Sequence, residues 1–347
     1  MVRRSFDGVS SNLQQFVPMT SRTRVRWLGL ALGLLLATGS SFWLPPRLLA
    51  TGLFLRMETA RDAPDWLLHY GEHALSERPF ARGAIRGILY EPEGAPHAPG
   101  LVLAHGIHEQ GIHEVRLVRL ARAIASSGVT VLTPELTDLA HFRITHADAE
   151  TIGLAARALG ETLGQARVSV FGISFGGGLA LRAACEPALR KAIARVIALG
   201  AHHDAARMGR FFLGEAARAP DGSTAQLEPH GYGGTVLFAW LFGEKHRGPI
   251  SPAQAERVRL ALDTHRAELA AASPAKCIEP IALPLYLAHG LGDNIVPYTE
   301  SLWNAAQFAP HTSLELLVSP ALGHAGYAPP TLWQRLQLVD FMASALP

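Results

Sequence analysis

Ser174 sits in Gly172-Ile173-Ser174-Phe175-Gly176, Asp293 in His289-Gly290-Leu291-Gly292-Asp293-Asn294-Ile295-Val296-Pro297, and His324 in Ala321-Leu322-Gly323-His324-Ala325-Gly326-Tyr327. A serine hydroxyl is a poor nucleophile at neutral pH. It attacks when an imidazole within hydrogen-bond reach takes its proton, and the imidazole needs a carboxylate to hold its tautomer and stabilise its cation. Serine, carboxylate and histidine in that chain order supply the parts of an acyl-transfer site.

Each of these residues must be delivered by an element. Val168-Ser169-Val170-Phe171 reads as a strand, and an Ala/Leu-rich helical segment follows Gly176. That is the pattern of a nucleophile elbow, in which the serine occupies a strained turn and Gly172 and Gly176 leave it clearance. Strands are also expected over Ala84–Tyr90, Gly100–Ala104, Val129–Leu132, Arg195–Leu199, Leu283–Ala288 and Ser313–Val318. Helices are expected over Glu114–Ser127, Ala147–Leu163, Tyr298–Phe308 and Leu332–Ala345. Short apolar strands alternating with helices predict an α/β fold, a doubly wound and mostly parallel sheet with its ligand crevice at the carboxyl ends of the strands. Asp293, His324 and Ser174 each follow a strand, on that rim.

His-Gly-x-x-Asp-x-x-Val-Pro, a Gly-His loop after the last strand and Gly-x-Ser-x-Gly upstream together resemble the α/β-hydrolase superfamily, over about residues 82–347 outside one insertion. The resemblance implies Ser174 as nucleophile, His324 as general base and then acid, and Asp293 as the orienting carboxylate. It also implies two backbone N–H donors for the oxyanion. One is Phe175. The other comes from His105-Gly106-Ile107, with Ile107 the first choice and His108 the alternative, although the glycine run of many lipases is missing. A serine nucleophile, where other members use aspartate or cysteine, implies an acyl-enzyme, and carboxylic ester hydrolysis is the expected activity. The alternatives are an acyltransferase with a lipid or envelope acceptor, a serine peptidase ranked lower, and a silent scaffold against which the complete triad argues.

The alternation breaks between about residues 201 and 280, which hold Phe211-Phe212-Leu213, Gly231-Tyr232-Gly233-Gly234, an apolar run Val236–Phe242 and an amphipathic helix from Pro252 to about Ala272. An insertion of this length predicts a helical cap over the crevice, suited to an apolar acyl group, with decoration on the back of the sheet as the alternative. Other histidines do not read as metal ligands. His108 and His113 are five apart and share no helix face, while His202-His203-Asp204 and the pair His141, His146 lack zinc spacing. Asp204, after a strand, is the runner-up acid.

Composition narrows the partners. Net charge is +2, and five arginines lie in the first 26 residues, so the remainder is near neutral and gives no strong argument for a nucleic-acid partner. No cofactor or metal is expected; the partner is a small ester or other acyl substrate. Cys185 and Cys277 make neither a disulfide framework nor a metal site, and whether they pair is open. Arg22, Arg24 and Arg26 precede an uncharged run from Trp27 to Pro46, long enough to span a bilayer. Residues 1–46 are therefore expected to be a cytoplasmic basic segment and signal anchor, with the catalytic domain held at the membrane outside the cytoplasm. The alternative is a signal peptide cleaved near Ala37-Thr38-Gly39 and a secreted protein. Residues 47–81 read as a connecting helical segment that packs on the main domain or on the membrane surface, and residues 82–347 as the α/β domain.

Overall fold

The computed structural model describes residues 44–57, 64–323 and 331–347. The chain divides into two compact units, Met1–Pro45 and Pro46–Pro347, and all described residues but 44 and 45 lie in the second.

Helices α1 (residues 44–57) and α2 (Asp65–Leu68) precede an antiparallel hairpin of β1 (Leu75–Arg82) and β2 (Ile85–Pro92). Then β3 (Gly100–Ala104), α3 (Val115–Ser126), β4 (Thr130–Pro134), α4 (Thr137–Ala140), α5 (His146–Leu163), β5 (Val168–Ile173), α6 (Phe175–Cys185), α7 (Pro187–Arg190) and β6 (Ile193–Leu199) alternate. An insertion holds α8 (Ala205–Phe212), a small hairpin of β7 (Ala217–Arg218) and β8 (Thr224–Ala225), α9 (Tyr232–Phe242), α10 (Pro252–Thr264) and α11 (Arg266–Ala271). The domain closes with β9 (Leu285–Gly290), α12 (Thr299–Phe308), β10 (Leu314–Ser319) and α13 (Leu332–Ala345).

The eight-stranded sheet runs β1-β2-β4-β3-β5-β6-β9-β10, antiparallel at β1-β2-β4 and parallel from β4 to β10. Strand order reverses at β3, where β4 lies on one side and β5 on the other, and such a switch point opens a crevice beyond the carboxyl ends. The apolar runs of the central strands serve two cores. Val102 and Ala104 of β3 join α5 and α6 on one face, while Leu101 and Leu103 join α1, α3 and α13 on the other. Helix α5 fits closely because its inner face is small: Ala149, Ile152, Ala155, Ala156 and Leu159 are fully buried, and Gly164 ends the helix at φ 67°.

Two expectations are revised. Of the stretch expected to be a connecting helical segment, Leu75–Arg82 is instead strand β1. Only its Phe80 is buried, so the strand shows no alternation in sequence, and Pro79 is tolerated because an edge strand has a free side. The helix expected from Pro252 to Ala272 is two helices, α10 and α11, broken at His265 where the backbone reaches φ −89°, ψ 14°.

The expected anchored localisation is corrected as well. Among the described residues no helix is long and apolar enough to cross a membrane. The run 27–46 that motivated the anchor falls, up to residue 43, outside the described residues. In α1, Leu53 and Phe54 are buried against α3 and α13, so this helix spends its apolar face on the domain and not on a bilayer. The membrane partner expected through the N-terminal helix has no support in the described residues.

Candidate active site

Ser174 lies between β5 and α6 with φ 55°, ψ −129°, and its N–H donates to the Leu199 carbonyl at 2.7 Å. Among the described residues only Ser174 and Phe142 are non-glycine residues with positive φ. The surrounding glycines are required by close backbone approach. A Cβ on Gly172 would lie 2.4 Å from the Gly176 carbonyl oxygen, and one on Gly106 would lie 3.1 Å from Ser174 Cβ and 3.7 Å from its Oγ. The loop after β3 therefore sits directly against Ser174.

In that loop His105 is buried, and its Nδ1 donates to the Gly106 carbonyl at 2.7 Å. The Gly106 carbonyl shares a peptide plane with the Ile107 N–H, so this bond fixes the direction in which that N–H points. The Phe175 N–H begins α6, and the Phe175 ring is buried 5.0 Å from the ring of His202.

Ile173 pairs with Leu199 and Leu199 with Ala288, so the loops after β5 and β9 emerge on one rim. Asp293 is buried there, and its Oδ1 accepts from the N–H groups of Ile295 at 3.0 Å and Val296 at 2.9 Å. His289 is fully buried beside it. Its Nε2 donates to the Val296 carbonyl at 2.7 Å and stands 3.5 Å from Asp293 Oδ2, and its Nδ1 accepts from Ser301 Oγ at 2.7 Å. A carbonyl can only accept, which assigns the proton to Nε2. His324 lies outside the described residues. The chain just before it runs past the acid loop: Ser319 pairs with Gly290, and a Cβ on Gly290 would meet the Leu322 carbonyl at 2.2 Å.

The remaining candidates take other roles. Asp204, the runner-up acid, caps α8 by accepting from the Arg207 N–H at 2.9 Å. His203 sits between Gln307 and Arg207, and the buried Glu300 accepts from the His203 N–H at 2.7 Å and from Arg207 Nε at 2.5 Å. His108 and His113 lie on a loop and a short 3₁₀ turn, and His141 bonds the Thr137 carbonyl. His146 does approach Glu150 and Glu186, but its two nitrogens face different carboxylates and Arg182 stands 3.1 Å from Glu186, so a cation already serves that carboxylate. Burial pushes the His202 imidazole down to about 4 and also lowers His105 and His203. Burial raises Asp148 to about 6; it accepts from the Leu139 N–H at 2.7 Å and so anchors the segment that carries Phe142.

Two contacts have no counterpart in the sequence expectations. Tyr232 of α9 donates through Oη to the Ile107 carbonyl at 3.1 Å, and the His230 N–H donates to the Asn294 carbonyl at 2.9 Å. Their sole sequence signal is a tyrosine within a glycine cluster. Cys185, ending α6, is bonded to Cys277, with Cα atoms 5.3 Å apart, and so ties the end of the insertion to the helix that follows Ser174.

No family model and no curated protein matches the chain. Solved structures do. A bacterial heroin esterase is 15% identical, over 85% of this chain and 89% of its own, with a TM-score of 0.51. An acylaminoacyl peptidase of Pyrococcus horikoshii is 16% identical over 79% of this chain, with a TM-score of 0.51, and a puromycin hydrolase is 17% identical over 82%, also at 0.51. The chain spans only 42% of that peptidase and 40% of that hydrolase. At such identities the shared property is the fold, and this chain has the α/β-hydrolase fold.

Proposed function

We propose that the chain, an α/β-hydrolase by fold, is a serine hydrolase that cleaves carboxylic esters through an acyl-enzyme. The observation that carries this reading is the strained backbone of Ser174 at a strand-to-helix turn with Gly106 against its Cβ. Strain of this kind persists where surrounding structure over-determines it, and it is concentrated at functional sites.

In the proposed reaction Ser174 Oγ attacks the ester carbonyl as its proton passes to His324. The Asp293 carboxylate holds the imidazole and stabilises its cation. The N–H groups of Phe175 and Ile107 receive the developing oxyanion. Collapse expels the alcohol with the proton from His324, and water then attacks the acyl-enzyme by the same steps in reverse. Asp293 is held in place by two backbone N–H bonds accepted through Oδ1. The insertion, about residues 201–280, acts as a cap over the crevice. Support comes from its contacts to Ile107 on one side and Asn294 on the other.

The test is labelling by a fluorophosphonate together with hydrolysis of short p-nitrophenyl esters. The parent should label and turn over, and Ser174→Ala should do neither. Turnover by the alanine variant at the parent's rate would sink the assignment. A peptidase is the second reading, favoured by the match to the acylaminoacyl peptidase. Cleavage of N-acyl peptides faster than esters would establish it.

A further inference from the structure

Phe142, the other described non-glycine residue with positive φ (61°), lies between α4 and α5, far from the elbow in sequence. Its ring packs on Tyr232, with centroids 6.2 Å apart and planes tilted by 58°. The backbone around it is pinned: the Arg143 N–H donates to the Asp138 carbonyl at 2.8 Å, and Thr145 Oγ1 donates to Asp138 Oδ2 at 2.6 Å. A phenylalanine held in the left-handed region is strained, and such strain persists only where the surrounding structure over-determines it.

What the ring backs is the phenol that bonds the Ile107 carbonyl. The peptides of the described residues are all trans, so that carbonyl orients the His108 N–H of the same plane. His105 fixes the preceding plane through the Gly106 carbonyl. Two successive peptide planes beside Ser174 are thus each clamped by one side chain, one from the loop itself and one from the insertion. Tyr232 is itself fixed at its base, where its N–H donates to His230 Nδ1 at 3.1 Å and the His230 N–H reaches the acid loop. Burial raises the phenol to about 12, so the hydroxyl remains a donor throughout the neutral range.

We propose that Tyr232, backed by Phe142, is a positioning residue of the oxyanion loop: by clamping the Ile107–His108 peptide, next to the plane that carries the Ile107 N–H donor, it lets the insertion hold steady a loop that His105 alone would leave free to pivot. This rests on the serine hydrolase reading above. The conservative variant is Tyr232→Phe, which deletes the hydroxyl and keeps the ring against Phe142. Its kcat on p-nitrophenyl butyrate should fall about 10- to 100-fold, short of or equal to the loss on removing a direct oxyanion donor, with KM within about twofold of the parent. Backbone amides of residues 106–111 should exchange with deuterium at least about tenfold faster, and those of β3 and α6 should not change. Phe142→Gly, which relaxes the backbone and removes the backing ring, should reproduce the loss of kcat.

A Tyr232→Phe variant with the parent's kcat overturns the proposal whether or not exchange rises. A rise in KM as large as the fall in kcat/KM also overturns it, because the hydroxyl would then be binding substrate. If the parent shows no Ser174-dependent hydrolysis, the hydrolase reading fails separately, and the exchange experiment alone decides whether Tyr232 holds the loop.

Discussion

A Cβ on Gly176 would lie 2.1 Å from the carbonyl oxygen of His105, so the helix after the nucleophile and the loop after β3 touch backbone to backbone. Neither partner is a flexible side chain that can move aside. Gly176→Ala must therefore separate the two, displacing either the Phe175 N–H or the His105-Gly106-Ile107 loop from Ser174. Ester hydrolysis should fall at least about 100-fold, as expected for a shift near 1 Å among reacting groups, and stability by about 1–3 kcal/mol as for an overpacked core site. Steady-state kinetics and urea unfolding of the variant measure both, and parental values in each would show that the contact yields.

His202 predicts an acid sensitivity. It is fully buried, its Nε2 approaches the Ala272 carbonyl at 3.3 Å, and burial lowers its pKa from 6.5 to about 4. A histidine that binds its proton less tightly folded than unfolded stabilises the fold fully above the unfolded pKa, and that contribution is lost as pH falls from about 6.5 through 4. The loss is on the order of 2–4 kcal/mol. His202→Leu has no proton to bind, so its unfolding free energy should depend less steeply on pH across this window. Urea titrations of both proteins between pH 4 and 8 provide the comparison, with identical slopes as the contrary result.

The Cys185–Cys277 bond spans 92 residues and encloses the whole insertion. Cross-linking a loop of this length restricts the unfolded chain, an effect of about 2–4 kcal/mol. Dithiothreitol, or the double variant Cys185→Ala/Cys277→Ala, should lower the urea midpoint accordingly. Cys277 is only half-buried, so reduction should proceed in the folded protein. A midpoint unmoved by either treatment would show that the insertion is held by its packing alone.

Much of the fold was legible because its signals are local. Buried parallel strands such as β3 show as unbroken apolar runs, and the elbow announces itself through glycines that backbone contact forbids from being anything else. Strand β1 was not legible, since an exposed edge strand with one buried residue carries no period of two. Asp293 is read from the pattern around it, and the structure supplies a reason for that pattern: His289, at its start, is buried and bonds the carbonyl of Val296, near its end. His324 is read from its motif alone.

By itself the sequence determined the α/β class, the strand ends that carry Ser174 and Asp293, and the glycines that let Ser174 adopt its turn. Each follows from physics confined to a few neighbouring residues. Only the tertiary structure decided that Cys185 meets Cys277 and that Tyr232 reaches Ile107 across 125 positions of chain. Such contacts depend on how the helices of the insertion pack, for instance Gly233 against the ring of Phe212, and no local pattern records the outcome of packing between distant segments.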